Sequence, residues 1–129
     1  MTVKQISIFL ENKPGRLSGI CRTLADAGVS ISTLSLADTA DFGIVRMIVD
    51  DHAKGVAALS GAGFTVKETD VVKATVPDRP GGMAELVAKL DKAGVNIEYS
   101  YAYALGGTDQ AVLVFRFDDN AKAEAALAL

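Results

Sequence analysis

Two short turns carry the clearest chemistry in this chain: Asn12-Lys13-Pro14-Gly15 and Asp78-Arg79-Pro80-Gly81. Each stands just ahead of a stretch with helical spacing. The first turn of a helix has N–H groups with no intrahelical partner, and the helix dipole is positive there. A carboxylate is a good occupant of such a place. Gly15 and Gly81 have no Cβ, so a ligand can approach the backbone closely. The same residue types also start helices for structural reasons alone. Asn12 or Asp78 would then be an N-cap worth about 1 kcal/mol, with proline set in the first turn.

Other reactive side chains are few. Cys21 is the one cysteine, which excludes an internal disulfide and a cysteine cluster for zinc. It falls on an apolar helix face, where core filling is the expected role. His52 is the one histidine and opens a helix beside Asp50 and Asp51. A solvated helix start with acids favoured by the dipole accounts for it better than a metal site. A nucleophile–base pair would have to draw on His52 alone. No Walker loop is present and no GxGxxG follows a strand. Arg16 and Arg79 sit where a phosphate cradle would need a longer loop than these short turns. No catalytic residue, cofactor or metal is expected. Tyr99, Tyr101 and Tyr103 alternate, so their rings leave one face of one strand. Packing, or lining a ligand pocket, suits an apolar ring with a polar tip. Stacking on RNA bases would want a basic surround, which is missing.

The elements that position these residues come as a repeat. At one constant offset Pro14 falls on Pro80, Gly15 on Gly81, Leu17 on Met83 and Leu24 on Leu90. Ala27-Gly28-Val29 falls on Ala93-Gly94-Val95. Further on the offset lengthens by two residues, and Asp50-Asp51 matches Asp118-Asp119. Residues 3–10 read as a strand and Leu17, Ile20, Cys21 and Leu24 as one face of a helix ended by Gly28. A strand over 29–37, a turn over 38–43, a strand over 44–49, a helix over 51–61 and a strand over 64–69 complete the first unit. The order β-α-β-β-α-β predicts an α+β, ferredoxin-like fold with helices on one face of an antiparallel sheet. The second unit repeats it as strand 70–77, helix 80–93, strands 95–104 and 110–117, and helix 119–129. Its last strand is missing or supplied elsewhere, since bare sheet edges are normally covered or paired. The expected domains are therefore 1–69 and 70–129. Phe42, in the first turn between strands, has no aromatic partner in the second.

With 50% apolar and 22% charged residues and a net charge of −3, the chain suits small globular units. Nothing attracts nucleic acid or an anionic membrane in bulk. The alternating N-terminus lacks a signal-peptide pattern, and a cytoplasmic location is expected.

An aliphatic strand, an Asn-Lys-Pro-Gly turn, a helix ending in Ala-Gly-Val and then β-β-α-β resemble the ACT domain family, small regulatory domains that bind amino acids. The doubled pattern covers nearly the whole chain. It is most similar to stand-alone tandem ACT proteins, which carry no catalytic domain. The resemblance implies an amino-acid site between paired ACT units. On the first repeat it would draw on Asn12, Lys13, Pro14, Gly15, Arg16 and Leu17 at the turn and on Ser30 and Ile31 at the second strand. On the second repeat it would draw on Asp78, Arg79, Pro80, Gly81, Gly82 and Met83, with Asn96 and Ile97. Leu10 and Val76 stand where the serine-binding pattern has a histidine, and Ser30 replaces an asparagine. Asp78 is charged and Asn12 is not, so the two sites are expected to differ. A homodimer, and a separate amino-acid biosynthetic enzyme as partner, are also implied.

Overall fold

The structure, a computed structural model, describes residues 1–38 and 42–129 and the side chains of all of these except Asp38. Its elements run β1 (Thr2–Glu11), α1 (Arg16–Asp26), β2 (Ile31–Asp38), β3 (Phe42–Val49), α2 (His52–Gly61), β4 (Val66–Pro77), α3 (Gly82–Ala93), β5 (Ile97–Ala104), β6 (Gln110–Phe117) and α4 (Asn120–Leu127). The pairs β1–β3, β2–β3, β4–β6 and β5–β6 are antiparallel, and the class is the α+β, ferredoxin-like one that the element order predicts. Of the turn expected over 38–43, residues 39–41 lie outside the described residues, and Phe42 and Gly43 already belong to β3. Among the described residues no helix is long and apolar enough to cross a membrane.

The chain divides into two compact units, Lys4–Thr69 and Met1–Val3 with Asp70–Leu129. The strands expected at 64–69 and 70–77 are one strand, β4. The stretch Lys67-Glu68-Thr69-Asp70 contains neither glycine nor proline to break it.

In the Lys4–Thr69 unit the strand order is β2-β3-β1, with Glu11 opposite Phe42 and Ile6 opposite Met47. Alternate strand residues point to one face. Ile6, Ile8, Leu10, Val45, Met47 and Val49 are buried there against Ile20, Leu24 and Leu59 of the helices. Val66, from the start of β4, packs on the same core. On α1 the apolar spacing produces full burial only at Ile20 and Leu24. Cys21, expected as core filling, is half-buried at the margin of that stripe. The helix ends at a left-handed Gly28, φ 73°, as the sequence implies.

The second unit follows the same plan. Its order is β4-β6-β5, and Val72, Val76, Leu113, Phe115 and Phe117 meet Leu90 and Ala123 in its core. Met1–Val3 belong to this unit: the Lys73 N–H donates to the Met1 carbonyl at 2.8 Å, and the Met1 ammonium donates to the Lys73 carbonyl at 3.1 Å. The Thr2 hydroxyl donates to the Glu124 carboxylate of α4. Tyr99, Tyr101 and Tyr103 lie opposite Arg116, Val114 and Val112. Since Leu113, Phe115 and Phe117 face the helices, the tyrosines line the other face of the sheet.

Candidate functional site

The two turns identified in the sequence end in helix starts of an unusual kind. The residue at the cap of α1 is Gly15, in the left-handed conformation at φ 86°, with no side-chain cap. Gly81 caps α3 in the same way at φ 88°. Asn12 and Asp78 therefore do not serve as the N-caps that a purely structural reading assigns them. They stand three residues too early, and the positive φ that places the chain at the helix start is one that only glycine adopts without strain. The other two helices are capped conventionally. Asp51 accepts from the Lys54 N–H at the start of α2, and Asp119 from the Lys122 N–H at the start of α4.

What is left open at α1 and α3 follows from the backbone. Arg16 N–H reaches back to the Lys13 carbonyl at 3.4 Å, and Gly19 N–H donates to the Gly15 carbonyl at 3.0 Å. The intervening amides of Leu17 and Ser18 are the ones presented to an outside acceptor. On α3, Gly82 donates to Arg79 at 3.1 Å and Glu85 to Gly81 at 2.9 Å, which presents Met83 and Ala84. A small cleft of about 70 Å³ lies beside the first turn, lined by Leu10, Glu11, Asn12, Lys13, Leu17, Leu36 and Gly43.

The charges around the turns differ. Glu11 bonds Lys13 at 2.8 Å and approaches Arg16 at 3.5 Å, so the first turn holds two cations to one anion. On the second, one Arg79 nitrogen donates to both oxygens of Glu85 at 3.0 Å, with Asp78 close in sequence. The Lys13 ammonium, by hydrogen bond and charge, and then Arg16 hold the Glu11 carboxyl below its ordinary value of 4.5. A depressed folded value means a contribution that is present above the unfolded value and lost as pH falls through the folded one. We expect Lys13→Ala to move the Glu11 titration midpoint up toward 4.5, read by NMR of its side-chain carboxyl. An unmoved midpoint would contradict the pairing. The group is exposed, so its effect on stability is small.

The remaining expected site residues lie elsewhere in each unit. Ser30 donates its N–H to Asp50 Oδ1 at 2.9 Å and accepts from Asp50 N–H at 3.0 Å. Asn96 does the same with Asp118, at 3.1 and 3.2 Å. Both positions, with Ile31 and Ile97 next to them, stand at the far end of α1 or α3 from the turn. The 11 residues of α1 span about 16 Å and the 12 of α3 about 18 Å. Within one unit, the structure groups the turn with the helix start and keeps the second-strand start apart.

His52 departs from the solvated helix start expected of it. Its side chain is 23% exposed, and Nε2 lies 2.6 Å from the Glu68 carboxylate on β4. Nδ1 is buried without a partner. Sequence reading missed this pair because strand β4 brings Glu68 in from outside the local window. No group of three potential metal ligands occurs among the described residues.

Comparison with known proteins sets these features in a family. Residues 1–129 match the family described as the ACT domain pair. The structure of protein BT0572 from Bacteroides thetaiotaomicron is 41% identical, with a TM-score of 0.93, over 99% of this chain and 88% of that one. The ligand-free regulatory subunit of aspartate kinase from Thermus thermophilus shares the fold at 17% identity and a TM-score of 0.69, over 99% and 93% of the two chains. The corresponding Thermus flavus subunit gives 18% and 0.67, over 99% and 92%. No curated protein matches the chain significantly. A match over the full length, on a fold built twice from the same turn and helix start, places this chain in the ACT domain pair family.

Proposed function

We propose that this protein is a non-catalytic regulatory module that binds an amino acid where ACT units pair. The observation that carries the reading is the contrast among the four helix starts. The helices behind the Pro-Gly turns are uncapped at a left-handed glycine, while the other two carry an aspartate cap. An amino-acid carboxylate is the natural occupant of an open helix start. Asn12 and Asp78 are the acceptors nearest in sequence for its ammonium group, and the charged Asp78 gives the stronger hydrogen bond. Since the second-strand starts lie a helix length from the turns of their own unit, a ligand touching both takes them from different units, Ser30 or Asn96 from one and the turn from another. Binding there would shift the population of arrangements by its differential affinity.

A melting screen of the chain against the twenty amino acids tests this. A ligand at ~100 times its Kd adds about 2.7 kcal/mol, and we expect one amino acid to raise Tm, with the gain reduced by Asn12→Ala or Asp78→Ala. No shift with any of them would sink the reading. A second reading is favoured by the fold shared with aspartate kinase regulatory subunits: a regulatory subunit for a separate enzyme, which co-purification of an enzyme activity would reveal.

A further inference from the structure

A groove of about 220 Å³ runs along the helix side of the Asp70–Leu129 unit, between the last residues of β4 and the helices α3 and α4. Ala74 and Val76 line it from the strand, Leu86 and Leu127 from the helices. The strand beside it carries an uncovered edge. On one side β6 pairs with Ala74–Pro77. On the other, Met1 and Lys73 exchange both backbone bonds, which is the pattern of an antiparallel pair. Thr2 and Val3 therefore lead back along Val72 and Val71, and Ala74–Pro77 run on past the pair. Such an edge presents N–H and C=O groups to any strand that adds to it.

The first repeat shows what a groove of this kind accepts. Ile8 and Leu10 stand there for Ala74 and Val76, Ile20 for Leu86 and Leu59 for Leu127. All four are buried, Ile20 and Leu59 completely. Phe64 and Val66 pack against them in the same core. The Phe64 N–H donates to the Leu59 carbonyl at 3.1 Å, and its ring reaches toward α1 at Gly19. The segment leads directly into β4 and turns two apolar side chains, two residues apart, onto one face. In the second repeat Leu86 and Leu127 are only half-buried, and the corresponding space is the groove.

We propose that this groove receives an extended segment of a partner protein, laid along Ala74–Pro77. It carries an aromatic residue and, two positions on, a β-branched one, as Phe64 and Val66 do in the first unit. Main-chain bonds to the β4 edge supply affinity, and the pocket under Leu86 and Leu127 selects the side chains. The site does not rest on the helix-start reading. The melting screen with amino acids contains no peptide, so either reading can fail while the other stands.

Amide NMR of the full chain, titrated with a peptide of residues 61–69, Gly-Ala-Gly-Phe-Thr-Val-Lys-Glu-Thr, tests it. The peptide is acetylated and amidated, so no terminal charge takes part. Saturable shifts are expected at Ala74, Thr75, Val76 and Leu86. The same peptide with Phe64→Ala binds at least about tenfold more weakly, and that comparison leaves the protein unchanged. Leu86→Gln in the protein weakens binding to a similar degree, with a melting curve to verify that it folds. Absence of saturable shifts, or equal affinity of the two peptides, overturns the proposal. So do shifts confined to Ile8, Phe9 and Leu10, where the peptide displaces its own copy, or to Met83 and Ala84 at the helix start.

Discussion

Phe115→Ala is expected to remove about 3–5 kcal/mol from the stability of the Asp70–Leu129 unit. Phe115 is fully buried, and its β6 position faces Val72 on one side and Ser100 on the other. Its ring stacks on Phe117 with centroids 5.1 Å apart, and such pairs add about 0.5–1.5 kcal/mol beyond the area they bury. The truncation leaves a cavity that the strand ladder prevents from closing. With two compact units in one chain, a single unfolding free energy is not well defined, so amide hydrogen exchange, read separately on each unit, is the suitable measurement. The core amides of β6 should lose protection by that amount. A loss under about 1 kcal/mol would contradict the core assignment.

Gly82→Ala is the second large effect. Gly82 is the first residue of α3, and a Cβ there would stand well inside van der Waals contact with the Pro77 carbonyl oxygen. Backbone on both sides must move, at a cost of about 1–3 kcal/mol for overpacking. Gly61→Ala is the matched control, because a Cβ at Gly61 meets nothing within 4 Å, and it should be neutral or gain about 0.4–1 kcal/mol. The same shift would displace the Met83 and Ala84 amides. Gly82→Ala should therefore weaken ligand binding at the second helix start while sparing the first. Equal melting temperatures for Gly82→Ala and Gly61→Ala would contradict the close approach.

The repeat made most of the fold legible. Pro-Gly turns, Ala-Gly-Val helix ends and alternating strands lie within windows of a few residues, where local rules act. What stayed hidden depends on residues far apart in sequence. The repeat boundary suggests two strands at 64–77, but unbroken β-compatible residues make one. Met1–Val3 group with the Asp70–Leu129 unit through Lys73, which no local pattern connects to them. Asn12 invites assignment as a cap by residue type, yet the left-handed glycine three residues on takes that place. The turn residues of the candidate site were legible because Pro-Gly recurs; the distance from them to Ser30 and Asn96 was legible only once the helices had length and direction.

The central claim is that the open helix starts hold the ligand. Amide NMR of the full chain, titrated with the amino acid that raises its melting temperature, tests it most directly. The account predicts saturable shifts at Leu17 and Ser18, at Met83 and Ala84, or at both pairs. The amides at the aspartate-capped starts, Lys54 and Lys122, should stay unmoved. Shifts at the capped starts as large as at the open ones, or binding with none at either open start, would contradict it.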